Sequence, residues 1–198
     1  MPKNHEHITY DTIIIGGGVA GLAAAMYAGR LELKTLVLAD KIGGTIVLTD
    51  IVENYPGFIR LTGQELADNI RNHALSYPVE LVDQKVADVK KCHDKCFAVF
   101  TENKSFHTKT IIFATGTKHR ELSVPGEKEF SAKGVHTCAL CDGPFYKNKI
   151  VGVVGGSDSA AKEALLLMQW AKKVYIIYRG EKIRPEPINM TRVEQKMK

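Results

Sequence analysis

Cys138 and Cys141, in Gly134-Val135-His136-Thr137-Cys138-Ala139-Leu140-Cys141-Asp142-Gly143, hold the densest chemistry in this chain. Two thiols separated by two residues can close a small disulfide ring and open it again. At a helix start, free N–H groups and the helix dipole favour the thiolate form. Asp142 follows at once, a carboxyl placed to move protons while the sulfurs change redox state. The competing reading is half of a four-thiolate zinc site, which needs a second pair at suitable spacing. The remaining cysteines, Cys92 and Cys96, are spaced differently and fall in a strand-like stretch. Cys92-His93-Asp94-Lys95-Cys96 has the look of a metal clip, but its ligand set is incomplete for a hairpin, so no metal site is expected.

A redox pair needs a source of electrons, and the flanking sequence offers one. Asp11-Thr12-Ile13-Ile14-Ile15 is a continuous β-branched run of the kind found in buried parallel strands. Gly16-Gly17-Gly18-Val19-Ala20-Gly21 follows, then Ala-rich helix formers over 22–30, then a second strand over 35–38 that ends at Ala39-Asp40. This is a βαβ unit with a glycine fingerprint at its first turn and an acid about 20 residues on. Gly16 suits the tight turn, Gly18 admits a pyrophosphate to the backbone, and Gly21 lets helix and strand pack closely. Asp40 could bind a ribose hydroxyl or stand as a solvated turn residue.

The same pattern returns after the cysteines. Ile150-Val151-Gly152-Val153-Val154 reads as a buried strand, followed by Gly155-Gly156-Ser157-Asp158-Ser159-Ala160, a helix over 161–171 and a strand over 174–178. Ser157 replaces the second fingerprint glycine, which leaves less room for close backbone approach. Arg179 and Arg184 follow the second strand, where cations can hold a ribose 2′-phosphate or can be solvated. Between the two units, the glycine-punctuated loop over 41–58 is too long for a simple connection. An amphipathic helix is expected over 63–76, and a small antiparallel meander from Glu80-Leu81-Val82 through residues 85–89 and 96–100. Residues 110–113 read as another buried strand ending in Ala114-Thr115-Gly116, and 120–134 as an interdomain linker. The fold class is therefore α/β, with two Rossmann-like dinucleotide-binding domains.

Composition sets outer limits. A chain of 198 residues with 44% hydrophobic and 25% charged content is ordinary for a globular protein. Its net charge of +5 is scattered, and no basic run suggests a nucleic-acid or membrane tract. No apolar run approaches membrane-spanning length, and residues 1–11 lack the apolar centre of a signal peptide. Four cysteines are too few for a secreted disulfide scaffold, so the sequence reads as cytoplasmic.

Two dinucleotide units with C-x-x-C-D at the start of the second resemble the low-molecular-weight thioredoxin reductases. The pieces come in that family's order: the Gly16 turn, Gly43-Gly44, Glu53-Asn54-Tyr55-Pro56-Gly57, Ala114-Thr115-Gly116, the Cys138-Cys141 motif and the Gly155 loop. The resemblance implies a flavoenzyme carrying electrons from NADPH through FAD to the disulfide and on to thioredoxin. Residues 1–122 would form the FAD-binding domain and 123–198 the NAD(P)-binding domain, in three-layer ββα and αβ architectures. Gly16, Gly18, Val19, Ala20 and Gly21, with Asp40, Lys41, Gly43, Gly44, Thr45, Asn54, Thr115 and Gly116, would line the FAD site. Gly155, Gly156, Ser157, Asp158, Ser159, Ala160, Arg179 and Arg184 would hold the nicotinamide nucleotide. Cys141 would face the flavin, Cys138 would attack the partner's disulfide, and Asp142 would protonate the departing thiolate. The resemblance also implies a homodimer.

The order of carriers makes chemical sense without the family. A nicotinamide gives a hydride and a disulfide takes two electrons, and a flavin can serve both. Reduced, the pair would exchange with another protein's disulfide through a mixed disulfide.

The sequence departs from the pattern in three places. Gly43-Gly44-Thr45 stands where Gly-Gly-Gln is usual. Tyr178-Arg179-Gly180-Glu181-Lys182-Ile183-Arg184 replaces His-Arg-Arg-x-x-x-Arg, which opens the site to NADH. Family members also continue beyond the point reached at Lys198, so both domains are expected to be incomplete, as in an N-terminal fragment. Two rival readings keep part of this picture. One is a reductase of a peroxiredoxin or a glutaredoxin-like protein; the other is a truncated, non-catalytic nucleotide-binding module.

Overall fold

The computed structural model describes residues 10–92 and 96–196. The polar leader over 1–9, with His5 and His7, and the centre of the clip, His93-Asp94-Lys95, lie outside the described residues. The chain divides into two units, one ending at Lys118 and the other beginning at His119.

The first unit is built on β1 (Tyr10–Ile15), α1 (Val19–Arg30), β2 (Thr35–Ala39), α2 (Gly63–Leu75), β3 (Val79–Asp83), β4 (Val86–Lys91), β5 (Phe97–Thr101) and β6 (Ser105–Phe113). They form one sheet in the order β3-β2-β1-β6-β5-β4. β3, β2, β1 and β6 run parallel, whereas β5 pairs antiparallel with both β6 and β4. β1 and β2 are buried along nearly their whole length, as expected of strands covered on both faces. The period of two sorts their side chains. Ile13, Ile15, Leu36 and Leu38 join Val99 of β5, with Val86, Val89 and Phe106 of the antiparallel part packed alongside. Ile14 and Val37 point the other way, into Ala25 of α1 and Ala74 of α2. Helices, parallel strands and meander are thus three layers, as the fold class expects.

Two strand assignments need correction. Glu80-Leu81-Val82 was expected in the meander, but β3 is a parallel edge strand, in register with β2 from Thr35↔Val79 to Ala39↔Asp83. The Tyr10 hydroxyl reaches Glu80 Oε2 at 2.7 Å, and burial together with that carboxylate pushes the Tyr10 pKa up to about 12. Residues 110–113 are not a separate buried strand. They are the second half of β6, which pairs with β5 through Thr108 and with β1 from Thr108 to Phe113. Ile111 reaches the core, while Ile112 and Phe113 are 40% and 66% exposed.

α2 is set by its first turn. Thr62 is the N-cap, its Oγ1 accepting the Glu65 N–H at 3.1 Å while Glu65 Oε2 accepts the Thr62 N–H at 2.7 Å. These bonds hold the Glu65 carboxyl below its usual range. The 41–62 loop is a folded element: a 3₁₀ turn over Gly44–Leu48, then a Val52–Leu61 bridge. Val52, Leu61 and Leu66 make a small core of their own, with Val19, Ile46, Tyr55 and Ile70 around it.

The second unit contains α3 (Ala139–Asp142), β7 (Ile150–Val154), α4 (Asp158–Leu167), β8 (Lys173–Ile177) and α5 (Pro187–Glu194). β7 and β8 pair in parallel as a two-stranded sheet. α4 covers one face, packing on Val153, Val174 and Ile176. Ile150, Val154, Tyr175 and Ile177 on the other face are exposed, so β7 is not buried on both sides as its composition suggested. α4 also starts three residues earlier than expected and ends at Leu167, with residues 168–171 in closing turns. The 120–134 segment lies wholly within this unit and folds on itself. Glu127 accepts the N–H groups of Leu122 and Ser123 at 2.8 and 2.6 Å, and Phe130 N–H bonds the Gly126 carbonyl at 2.9 Å.

Candidate functional site

Parallel strands end on one edge of their sheet, and the first unit places its glycine turns there. β1, β2 and β6 run the same way, so Gly16 to Gly18, Asp40 to Gly44, and Ala114 to Gly116 share an edge. Because β6 lies on the opposite side of β1 from β2, the Gly16 turn sits where the strand order reverses, the usual ligand crevice of open α/β sheets. Gly43 N–H bonds the Gly17 carbonyl at 2.8 Å, and Gly18 and Gly43 form a parallel bridge. The two glycine turns are therefore one backbone surface.

The glycines differ in why they are glycine. A Cβ on Gly21 would collide with the Gly16 carbonyl, so close packing of α1 on the β1 turn forbids a side chain. A Cβ on Gly18 would have 3.8 Å to its nearest neighbour, Gly44 Cα. That is ordinary van der Waals contact, so packing within the chain does not require glycine at 18. Gly18 is the N-cap of α1, so Val19, Ala20 and Gly21 form the first turn, whose N–H groups have no intrahelical partner. Asp40, Lys41 and Thr45 are exposed around the same edge. Asn54 is exposed on the segment closed by the Val52–Leu61 bridge, apart from the paired glycine turns.

The second unit repeats the arrangement with one strand pair. Gly155, Gly156 and Ser157 connect β7 to α4, while Asp158, Ser159 and Ala160 are already its first turn. Arg184 N–H bonds the Gly156 carbonyl at 2.6 Å, which brings the Arg179–Arg184 segment against the glycine turn. Asp158 ties α5 to α4, because its Oδ1 accepts Asn189 Nδ2 at 2.7 Å and the Glu186 N–H at 3.1 Å. The Tyr178 ring lies against Gly156, where a Cβ would come within 2.5 Å of it. The side chains of Arg179 and Arg184 are exposed.

The cysteines stand on a single turn. Cys138 and Cys141 are joined as a disulfide, with Cα atoms 5.4 Å apart. Cys138 is the N-cap of α3, and its Sγ accepts the Cys141 N–H at 3.1 Å. α3 has four residues, so the expected help from a helix dipole reduces to that local N–H. Cys138 is half-buried and Cys141 exposed. Behind them Gly143 is buried against Trp170, where a Cβ would come within 2.6 Å of the indole. That contact seats the turn on the end of α4.

Asp142 does not stand alone. Its Oδ2 lies 3.0 Å from His136 Nδ1, and His136 Nε2 lies 2.7 Å from the Tyr146 hydroxyl. Neither His136 nor Tyr146 was singled out from the sequence, since no spacing rule links a carboxyl to residues six before and four after it. Cys92 and Cys96 form a second disulfide at the β4–β5 turn, so the two thiol positions of the supposed clip are occupied by each other. Among the described residues no group of three or more His, Cys, Asp or Glu side chains could hold a metal ion. No helix among them is long and apolar enough to cross a membrane.

Residues 10–197 match the family described as pyridine nucleotide-disulphide oxidoreductase. A thioredoxin reductase from Treponema pallidum is 41% identical over 179 residues, spanning 89% of this chain and 58% of that protein. A bifunctional thioredoxin reductase/thioredoxin from Mycobacterium leprae is 39% identical over 193 residues, 96% of this chain and 42% of its own length. The crystal structure of Lactococcus lactis thioredoxin reductase superposes with a TM-score of 0.91 at 41% identity, covering 94% of this chain and 61% of that one. The chain thus spans about three fifths, or less, of the proteins it matches. With its paired glycine turns and closed cysteine ring, this chain belongs to the pyridine nucleotide-disulphide oxidoreductase family.

Proposed function

We propose that this chain carries the dinucleotide turns and redox centre of a thioredoxin-disulfide reductase, in which electrons pass from NADPH by way of FAD to the Cys138–Cys141 disulfide and then to thioredoxin. The observation that carries this reading is the closed C-x-x-C ring on a turn that leads directly into a second dinucleotide-type βαβ unit. The names of the Treponema and Mycobacterium relatives support thioredoxin as the partner, and the second joins reductase and thioredoxin in one chain.

FAD bound at the first turn would supply two-electron chemistry between a nicotinamide and a disulfide. Gly18 gives its pyrophosphate room at the backbone, Val19 and Ala20 present free N–H groups, and Asp40 accepts from a ribose hydroxyl. Lys41, Gly43, Gly44, Thr45, Asn54, Thr115 and Gly116 complete its surroundings. Gly155, Gly156, Ser157 and the first turn of α4 do the same for NADPH, with Arg179 and Arg184 as cations for its 2′-phosphate. Having one arginine fewer than the family signature, the site is expected to accept NADH as well. The division of the chain after Lys118 supports an FAD-binding part over 1–122 and an NAD(P)-binding part over 123–198. A cysteine pair that cycles between thiol and disulfide suits the cytoplasm, and the family resemblance supports a homodimer.

Once reduced, Cys138 attacks the partner's disulfide, its thiolate favoured by the Cys141 N–H. Asp142 gives a proton to the departing sulfur, and Cys141 resolves the mixed disulfide. In the flavin-loaded protein, Cys141→Ser should abolish NADPH-dependent reduction of thioredoxin while trapping it on Cys138. Undiminished turnover by that variant rules the mechanism out.

A further inference from the structure

We propose that His136 is a positioning residue for this thiol–disulfide chemistry, holding the Asp142 carboxyl beside the cysteine pair with an imidazole whose other nitrogen is fixed by Tyr146. The proposal rests on the thiol-exchange reading above and assigns a role to residues which that reading leaves unused.

The geometry forms an unbroken chain: Asp142 Oδ2 to His136 Nδ1 at 3.0 Å, and His136 Nε2 to the Tyr146 hydroxyl at 2.7 Å. The His136 and Tyr146 rings meet edge to face with centroids 5.3 Å apart, which fixes the imidazole plane. The His136 side chain is 19% exposed and that of Asp142 31%, so the pair is partly shielded while the carboxyl keeps some contact with solvent. Asp142 is tied to the cysteines by its own backbone, its N–H bonding the Cys138 carbonyl at 3.1 Å. The helix packed against this turn, α4, carries Asp158, Lys162 and Glu163 as its charged groups. Asp158 is engaged by α5, and Glu163, held above its usual range by burial, has His119 as its charged neighbour. His136 is thus left to Asp142 and Tyr146.

Neutral imidazole donates from one nitrogen and accepts at the other, so this chain has two satisfied states. With Asp142 ionised, Nδ1–H donates to Oδ2 and the Tyr146 O–H donates to Nε2. With Asp142 protonated, Oδ2–H donates to Nδ1 and Nε2–H donates to the Tyr146 oxygen. The carboxyl therefore gains or loses a proton without leaving a partner unpaired, and exchange requires both events. The Cys138 thiolate attacks a disulfide, a Cys138–S bond forms, the disulfide bond breaks, and the departing sulfur takes a proton from Asp142. Cys141 then loses its proton to the Asp142 carboxylate and attacks Cys138 Sγ, which closes the ring and expels the second sulfur as a thiolate. The cysteine pair is oxidised by two electrons, the attacked disulfide is reduced by two, and the Asp142 carboxyl ends as it began.

Two small disulfides separate this role from a merely structural one. Oxidised glutathione leaves as an alkyl thiolate that needs a proton, whereas 5,5′-dithiobis(2-nitrobenzoate) leaves as a stabilised thiolate that needs none. The chain is reduced with dithiothreitol and desalted, and loss of the reduced peptide spanning residues 134–147, which reports the first displacement alone, is followed by mass spectrometry with each probe. His136→Ala and Tyr146→Phe should slow exchange with glutathione disulfide, the former about tenfold, and leave the aromatic disulfide within about twofold. His136→Asn, which keeps an N–H but cannot relay a proton, should restore order to the turn without restoring the glutathione rate. Equal rates with wild type for both probes, or equal slowing with both, would overturn the proposal. Neither probe needs a cofactor, so failure to reduce thioredoxin would defeat the proposed function and leave these rates unchanged.

Discussion

Gly18 and Gly21 belong to one short motif yet should behave in opposite ways when replaced by alanine. Gly18 adopts an extended backbone that any residue can take, and a Cβ there would meet Gly44 and Gly43 at ordinary contact distance. Gly18→Ala should leave stability unchanged or raise it by about 0.4–1 kcal/mol through the unfolded chain, while weakening flavin retention. Gly21→Ala drives a methyl into the Gly16 carbonyl and should lower stability by about 1–3 kcal/mol or more, the scale of overpacking. Urea titration with flavin fluorescence separates the two; equal destabilisation by both variants would refute this division of roles. The glycine turns were legible in the sequence because each carries a spacing set by a backbone requirement. His136 and Tyr146 were not, since what unites them with Asp142 is the fold of one turn, and no periodicity marks it.

At the scale of elements, alternation announced the strands but not their neighbours. Glu80-Leu81-Val82 reads the same in a parallel edge strand as in a meander; its partner is chosen by the α2 crossover that returns the chain to the far side of β2. Residues 110–113 and 150–154 were expected to be covered because they are apolar, yet only their inward-facing members meet a core. A run of apolar residues states a preference for burial, and another element must supply the cover. α2, by contrast, was legible from its apolar spacing to within a residue of its end, while the cap formed by Thr62 and Glu65 is seen only in the structure. Thr62→Ala should cost about 1 kcal/mol in urea unfolding at neutral pH. The Glu65 carboxyl is held below its unfolded value, so its stabilisation is present above that value and is lost as pH falls through the folded one. The difference between wild type and Glu65→Gln should therefore shrink on acidification, and a difference that grows in acid would show the bonds to be unimportant.

For the whole molecule, the two units have cores of different weight. The first buries Ile13, Ile14, Leu22, Leu36, Leu38 and Leu66 almost completely, while the buried apolar residues from His119 onward, among the described residues, are Val153, Ala160, Ala161, Ala164 and Val193. The second unit should open first. Trp170 is the one tryptophan of the chain and sits in that unit, so its fluorescence should report a lower urea midpoint than far-ultraviolet circular dichroism. Superimposable curves would show a single cooperative structure. The family was legible at this scale because the motifs for both dinucleotide turns and the cysteine ring follow one another in a fixed order along the chain. On the proposed mechanism electrons leave through that ring, and thiol mapping asks whether they do. In flavin-loaded protein treated with NADPH under anaerobic conditions, alkylation followed by peptide mass spectrometry should find two new thiols, at Cys138 and Cys141. A flavin fully bleached by NADPH while that pair stays disulfide-bonded would refute the mechanism.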